Sequence, residues 1–169
     1  MPRTVRMAAE NAGPAMLEQL AILQTVAAAR FEDHVLNTLT HRRPSAWAIE
    51  VDASIGGTEQ APPAPGLSRS RTFHQVDALV HDGYHVVAVE IRAQLQPGST
   101  RQIDAVKEWL ETLPPDLPVL LVVLGEGLTS RELHRVQGVR KAAIESLAWD
   151  RDANSLIAVL RSLLEANGR

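Results

Sequence analysis

The chain contains no cysteine. Disulfides, thiolate zinc centres and cysteine nucleophiles are therefore excluded. Aromatic residues make up 4% of its 169 positions, too few for the stacking platforms that bind single-stranded nucleic acid. No apolar run approaches the roughly 18 residues of a membrane span. Residues 1–11 also lack the long apolar segment of a secretory leader. The expectation is a soluble, cytoplasmic protein with no membrane association. A surplus of positive charge is missing too: the net charge is -3, which argues against a grip on nucleic acid by bulk charge alone. Basic residues cluster only locally, at His41-Arg42-Arg43, at Arg69-Ser70-Arg71, and at Arg92 with Arg101. Short runs of this kind usually form a solvated face. No internal repeat is visible.

An apolar content of 45% over this length predicts a single domain, residues 14–169, with a sizeable core. Residues 1–13 read as a loose tail. Pro14 suits a first helical turn, and Leu20, Leu23, Ala27, Phe31, Val35 and Leu39 recur at three or four residues, which predicts helix over 14–40, as one helix or as two with a bend near Arg30. Arg42-Arg43-Pro44 ends it. Residues 47–53 read as a strand. Residues 54–71, carrying Gly56-Gly57 and Pro62-Pro63-Ala64-Pro65-Gly66, read as a long mobile loop. A helix over 100–113 follows, capped by Ser99 or Thr100, with Ile103, Val106, Trp109, Leu110 and Leu113 on one face. The wholly apolar run at 118–125 suits a strand buried on both faces. A helix from Thr129 or Ser130 to about 136, a strand over 144–149 and a closing helix over 152–167 complete the chain. Antiparallel strands come first and helical crossovers later, which predicts an α/β mixed sheet with helices on both faces.

Between these elements lies the most informative stretch, 73–92. Two runs rich in strand formers flank Asp82-Gly83, a dipeptide suited to a tight hairpin turn. A two-residue loop there sets His81 opposite Tyr84, Asp77 opposite Ala88 and Gln75 opposite Glu90. Alternation puts Gln75, Asp77, Glu90 and Arg92 on one face and Val76, Ala78, Val80, Val87, Val89 and Ile91 on the other. Acids and an arginine beside an apolar wall are costly unless paired or bound to something.

The element order, with Asp77 and the triplet Glu90-Ile91-Arg92 on adjacent strands, resembles the PD-(D/E)XK nuclease superfamily, the restriction-endonuclease-like fold with an α-β-β-β-α-β core. Here the likeness covers about residues 30–125 and leaves an α-β-α extension at the carboxy terminus. Arg30-Phe31-Glu32 and the apolar stripe after it also resemble the first helix of Mrr-like members. The resemblance implies a magnesium- or manganese-dependent hydrolase of DNA phosphodiesters, acting in defence or DNA processing. It implies that Asp77, Glu90 and the Ile91 backbone carbonyl hold the metal. Glu32 would join from the helix, and Gln102 would bond a water or a phosphate oxygen, a role for which Gln75 is the weaker candidate. Arg92 departs from the pattern, since most active members carry lysine there. Arginine cannot shuttle a proton at working pH, although it can stabilise charge building on phosphorus.

Each site has an ordinary alternative: a structural ion cluster for Asp77, Glu90 and Arg92, and solvated polar residues for Glu32 and Gln102. The competing function is a catalytically degenerate nuclease-fold module serving as a binding or assembly subunit, and a third is a substrate-binding α/β domain of other ancestry. With no separate recognition domain, substrate choice would come from a protein partner or a homodimer. His74, His81 and His85 do not converge on the hairpin, so they predict no zinc site. Trp47, Trp109 and Trp149 are expected in or beside the core.

Overall fold

Residues Val119-Leu-Leu-Val-Val-Leu124 carry no polar side chain, and all six are buried. Such a strand needs hydrogen-bonding neighbours on both edges and cover on both faces. The computed structural model, which describes residues 13–55, 74–93, 110, 119–125 and 143–166, supplies both. Its elements run α1 (Pro14–Arg42), β1 (Ala48–Ile55), β2 (His74–His81), β3 (Val86–Arg92), β4 (Val119–Leu124), β5 (Ala143–Ala148) and α2 (Ala153–Ala166). The strands form one mixed sheet in the order β1-β2-β3-β4-β5. The first three are antiparallel neighbours, whereas β4 runs parallel to β3 and to β5. The protein is thus an α/β chain with a five-stranded sheet.

Helices α1 and α2 both cover one face. Phe31, Val35 and Leu39 of α1 and Leu156, Leu160 and Leu164 of α2 meet Val87, Val89, Leu121 and Val123 in one buried cluster. The i, i+4 spacing of the three α2 leucines sets them on a single stripe. On the opposite face, Leu110 packs with Ala88, Leu120, Val122 and Ile144 in a second cluster. Both described helices share the first face, and Leu110 is the described helical residue on the other. Residues 1–12 of the expected tail, residues 56–71 of the expected loop, the expected helices over 100–113 (Leu110 excepted) and 129–136, and Trp109 lie outside the described residues.

Several boundaries differ from expectation. α1 runs to Arg42, and Arg43 turns extended at ψ 149, as a residue preceding proline must. The Arg43 guanidinium then ties the exit together, donating to the carbonyls of Thr40 and Trp47. Ser54 and Ile55 are strand rather than loop, paired with Gln75 and His74. β5 spans 143–148; just past its end the Trp149 N–H still donates to the Leu124 carbonyl at 3.0 Å, and the ring is buried against Phe31, centroids 6.1 Å apart. Asp152 caps α2 by accepting from the N–H groups of Asn154 and Ser155. Among the described residues no helix is long and apolar enough to cross a membrane.

Leu121 on β4 is fully buried while Tyr84 is 91% exposed. Leu121→Ala should lower unfolding free energy by about 2–5 kcal/mol. Tyr84→Ala should change it by less than about 0.5 kcal/mol. Urea denaturation of the two variants measures the contrast.

Candidate functional site

The β2–β3 turn sets the geometry of the site. Asp82 accepts the N–H groups of Tyr84 and His85 through Oδ1, at 2.9 and 2.8 Å, and its Oδ2 lies 3.2 Å from the His85 ring. These bonds to the charged carboxylate hold its pKa down at about 2. The Asp82 N–H donates to the His85 carbonyl. Gly83 supplies the positive φ of 97°. The loop therefore takes in residues 82–85, and His81 pairs with Val86 and Val80 with Val87. The two-residue loop expected from Asp82-Gly83 is corrected on this point. The side chain of Asp82 rewards a wider turn, and the register moves by two. Such a shift preserves alternation, so it changes which residues are opposite without changing their faces.

The ladder between β2 and β3 ends at the pair Ala78 and Val89. One step further, the Asp77 carboxylate accepts the Ile91 backbone N–H at 2.6 Å. On the other edge of β2, the β1 ladder skips Asp52 between the pairs at Val51 and Ala53, and Asp52 is left-handed at φ 53°. A non-glycine residue there is uncommon and locally strained. The strands change faces at this point. Ala78 and Val80 belong to the core under the helices, whereas Val76 belongs to the opposite cluster, as does Ala53. The expectation that Val76 shares a face with Ala78 is therefore corrected: the break at Asp52 and Asp77 rotates the strand between them. Gln75 is exposed and paired with Ser54, not opposite Glu90.

Glu90 sits beside this break and is 4% exposed. Its Oε1 lies 2.6 Å from Nη2 of Arg92. Its Oε2 is buried without a hydrogen-bond partner. Burial is the main influence on its pKa, and Asp77 and Glu32 add like charge. Arg92 and the Asp77 N–H favour the charged form but do not prevail, and the pKa is pushed up to about 8. Asp77, half-buried, is raised chiefly by burial and also by Asp52, against the Ile91 N–H and Arg92. Glu32 is raised by burial, then by Asp77, Asp33 and Asp52, with Arg92 opposing. The helix thus brings Glu32 within electrostatic reach of the strand acids. Phe31, packed on Trp149, anchors that turn of α1.

Of the residues expected here, Glu32, Asp77, Glu90 and Arg92 gather at one corner of the sheet. Gln102 lies outside the described residues. Ile91 is placed by its N–H on Asp77. Two contributors escaped sequence reasoning. Asp52 sits in an ordinary strand pattern, Glu50-Val51-Asp52-Ala53, and nothing there signals a left-handed turn. Gly125 donates its N–H to the Arg92 carbonyl at 2.9 Å, and a Cβ on it would stand 2.6 Å from the Ala93 carbonyl oxygen. Among the described residues no group of three or more His, Cys, Asp and Glu side chains is arranged to hold a metal ion. No protein-family model and no curated protein matches the chain.

Folded Glu90 keeps its proton up to about pH 8, whereas an unfolded glutamate loses it near 4.5. Over that window the folded state binds more protons, so stability falls as pH rises. Below the window both states are protonated and the contribution is fully present. Denaturation at steps between about pH 5 and 8 should show this slope, and Glu90→Gln should flatten it. Gly125→Ala should cost about 1–3 kcal/mol, because backbone at Ala93 must move. The same melts would detect it.

Proposed function

We propose that the protein is a metal-dependent nuclease of the restriction-endonuclease-like fold, hydrolysing DNA phosphodiester bonds at the corner formed by Glu32, Asp77, Glu90 and Arg92. The observation that carries this reading is the buried, unpartnered Oε2 of Glu90, held next to a second carboxylate. A buried acceptor without a partner costs free energy, and a cation is one group that offsets it. With the Glu90 proton released on binding, Asp77 and Glu90 would be two carboxylates, a donor set that suits magnesium, which retains several waters and takes few protein ligands. The fit is thus to a partly hydrated cation rather than to a closed protein cage. Bound there, the cation would supply charge stabilisation at the scissile phosphate and activation of water.

The chain's own residues do the rest in this reading. Arg92, a third exposed, faces both Glu90 and solvent and can neutralise charge developing on phosphorus. Being permanently protonated, it takes no proton from water. The Glu32 carboxyl has its pKa raised by burial and by the neighbouring acids, which favours its holding a proton beside the site. Arg42 is exposed at the end of α1 and offers a phosphate contact.

A second reading is favoured by one specific observation. The Arg92–Glu90 contact of 2.6 Å gives Glu90 a partner without any cation. In a degenerate module serving as a binding or assembly subunit, that pair would replace the metal. Plasmid cleavage with magnesium or manganese separates the two. For the nuclease, Asp77→Ala and Glu90→Ala abolish cleavage, and Arg92→Ala lowers it by about 10²–10³-fold. If neither the native protein nor Arg92→Lys cleaves with either metal, the module is correct.

A further inference from the structure

α1 is 29 residues long, and its packing changes character halfway along. From Phe31 onward it is anchored in the core by Phe31, Val35 and Leu39. Before that point four of its described large apolar side chains stand in water: Met16, Ile22, Leu23 and Val26, with Leu23 64% exposed. At 100° per residue these four share one stripe with Gln19 and Arg30, turned away from the stripe of Phe31, Val35 and Leu39. The same stripe becomes polar where the helix reaches the sheet, at exposed Asp33 and Asn37. An apolar strip confined to the projecting half of a helix is the signature of a contact surface.

Charge tells which partner fits. Between Pro14 and Arg30 the sequence holds a single acid, Glu18, and a single base, Arg30, and both are exposed. They stand about 18 Å apart along the axis. We propose that this stripe is the contact of a homodimer, with a second copy's α1 packed antiparallel about a two-fold axis near position 24. That arrangement sets Glu18 beside the partner's Arg30, and Arg30 beside the partner's Glu18. It also lays Leu23 on the partner's Val26. Closed two-fold symmetry makes each contact twice. A parallel pair would set Glu18 against the partner's Glu18 and gain neither ion pair. The projecting half is only about 24 Å long, so the contact is smaller than a standard stable interface and the dimer depends on concentration. The proposal stands apart from the nuclease reading and holds whichever activity the sheet corner has.

Sedimentation velocity of the full chain over a concentration series tests it, with circular dichroism confirming that each variant is folded. A monomer–dimer equilibrium is expected. Leu23→Glu should weaken it by about tenfold or more with no change in the folded monomer. Glu18→Arg and Arg30→Glu should each weaken it several-fold, and the two together should restore it. Because the chain has no cysteine, single reporters are clean: Leu23→Cys should form a disulfide-linked dimer under oxidation, and Met16→Cys should not. A chain monomeric at every concentration overturns the proposal, as it would if the stripe served a different protein. Dimerisation indifferent to Leu23→Glu, or Met16→Cys cross-linking as readily as Leu23→Cys, overturns it as well.

Discussion

At Asp77 a side chain does the work that backbone does elsewhere in the sheet. The β2–β3 ladder stops at Ala78 and Val89, and the Asp77 carboxylate takes up the N–H of Ile91. A buried N–H must find an acceptor, so the strands can separate at this point only because an acid stands there to receive it. Asp52, left-handed across the other edge of β2, lets the sheet change faces at the same place. Beyond that point Glu90, Arg92 and Glu32 lie within electrostatic reach of one another and of Asp77. Without the Asp77–Ile91 bond the ladder would either continue or leave the Ile91 N–H without this acceptor.

The corner is electrostatically unfavourable for its acids. Glu32, Asp77 and Glu90 all have their pKa values raised, with burial as the leading cause in each case. Arg92 relieves them incompletely. Structural ion pairs generally settle with every charge matched. Among the described residues, Arg92 is the cation acting on all three carboxyl groups, and Oε2 of Glu90 has no hydrogen-bond partner. That imbalance is the physical ground for proposing a missing cation. The tight Arg92–Glu90 contact is the ground for the rival account, in which arginine has taken the cation's place.

The two halves of α1 illustrate how one helix can have two roles. Its second half is held by the core and delivers Glu32. Its first half is nearly uncharged and presents apolar side chains to water, a composition that intrinsic propensity alone does not require.

How much of this was legible follows from the range of the forces involved. β4 could be read directly, because a short run of consecutive apolar residues suits a strand covered on both faces. The closing helix and the hairpin itself were legible for similar reasons: they depend on neighbours a few residues away, whereas the Asp152 cap and the leucine stripe of α2 emerged with the structure. The grouping of Asp77, Glu90 and Arg92 survived an incorrect register, because a shift of two leaves alternation intact. The register itself depended on whether the Asp82 side chain would capture two N–H groups, which composition does not announce. The burial of Glu90, its contact with Arg92 and the face change at Asp52 arise from segments far apart in sequence, as does the exposure of Leu23 on a stripe that looked uniformly apolar. Local periodicity therefore determined the elements, and only their packing together decided which acids lost their water, since desolvation depends on everything that surrounds a group rather than on its neighbours along the chain.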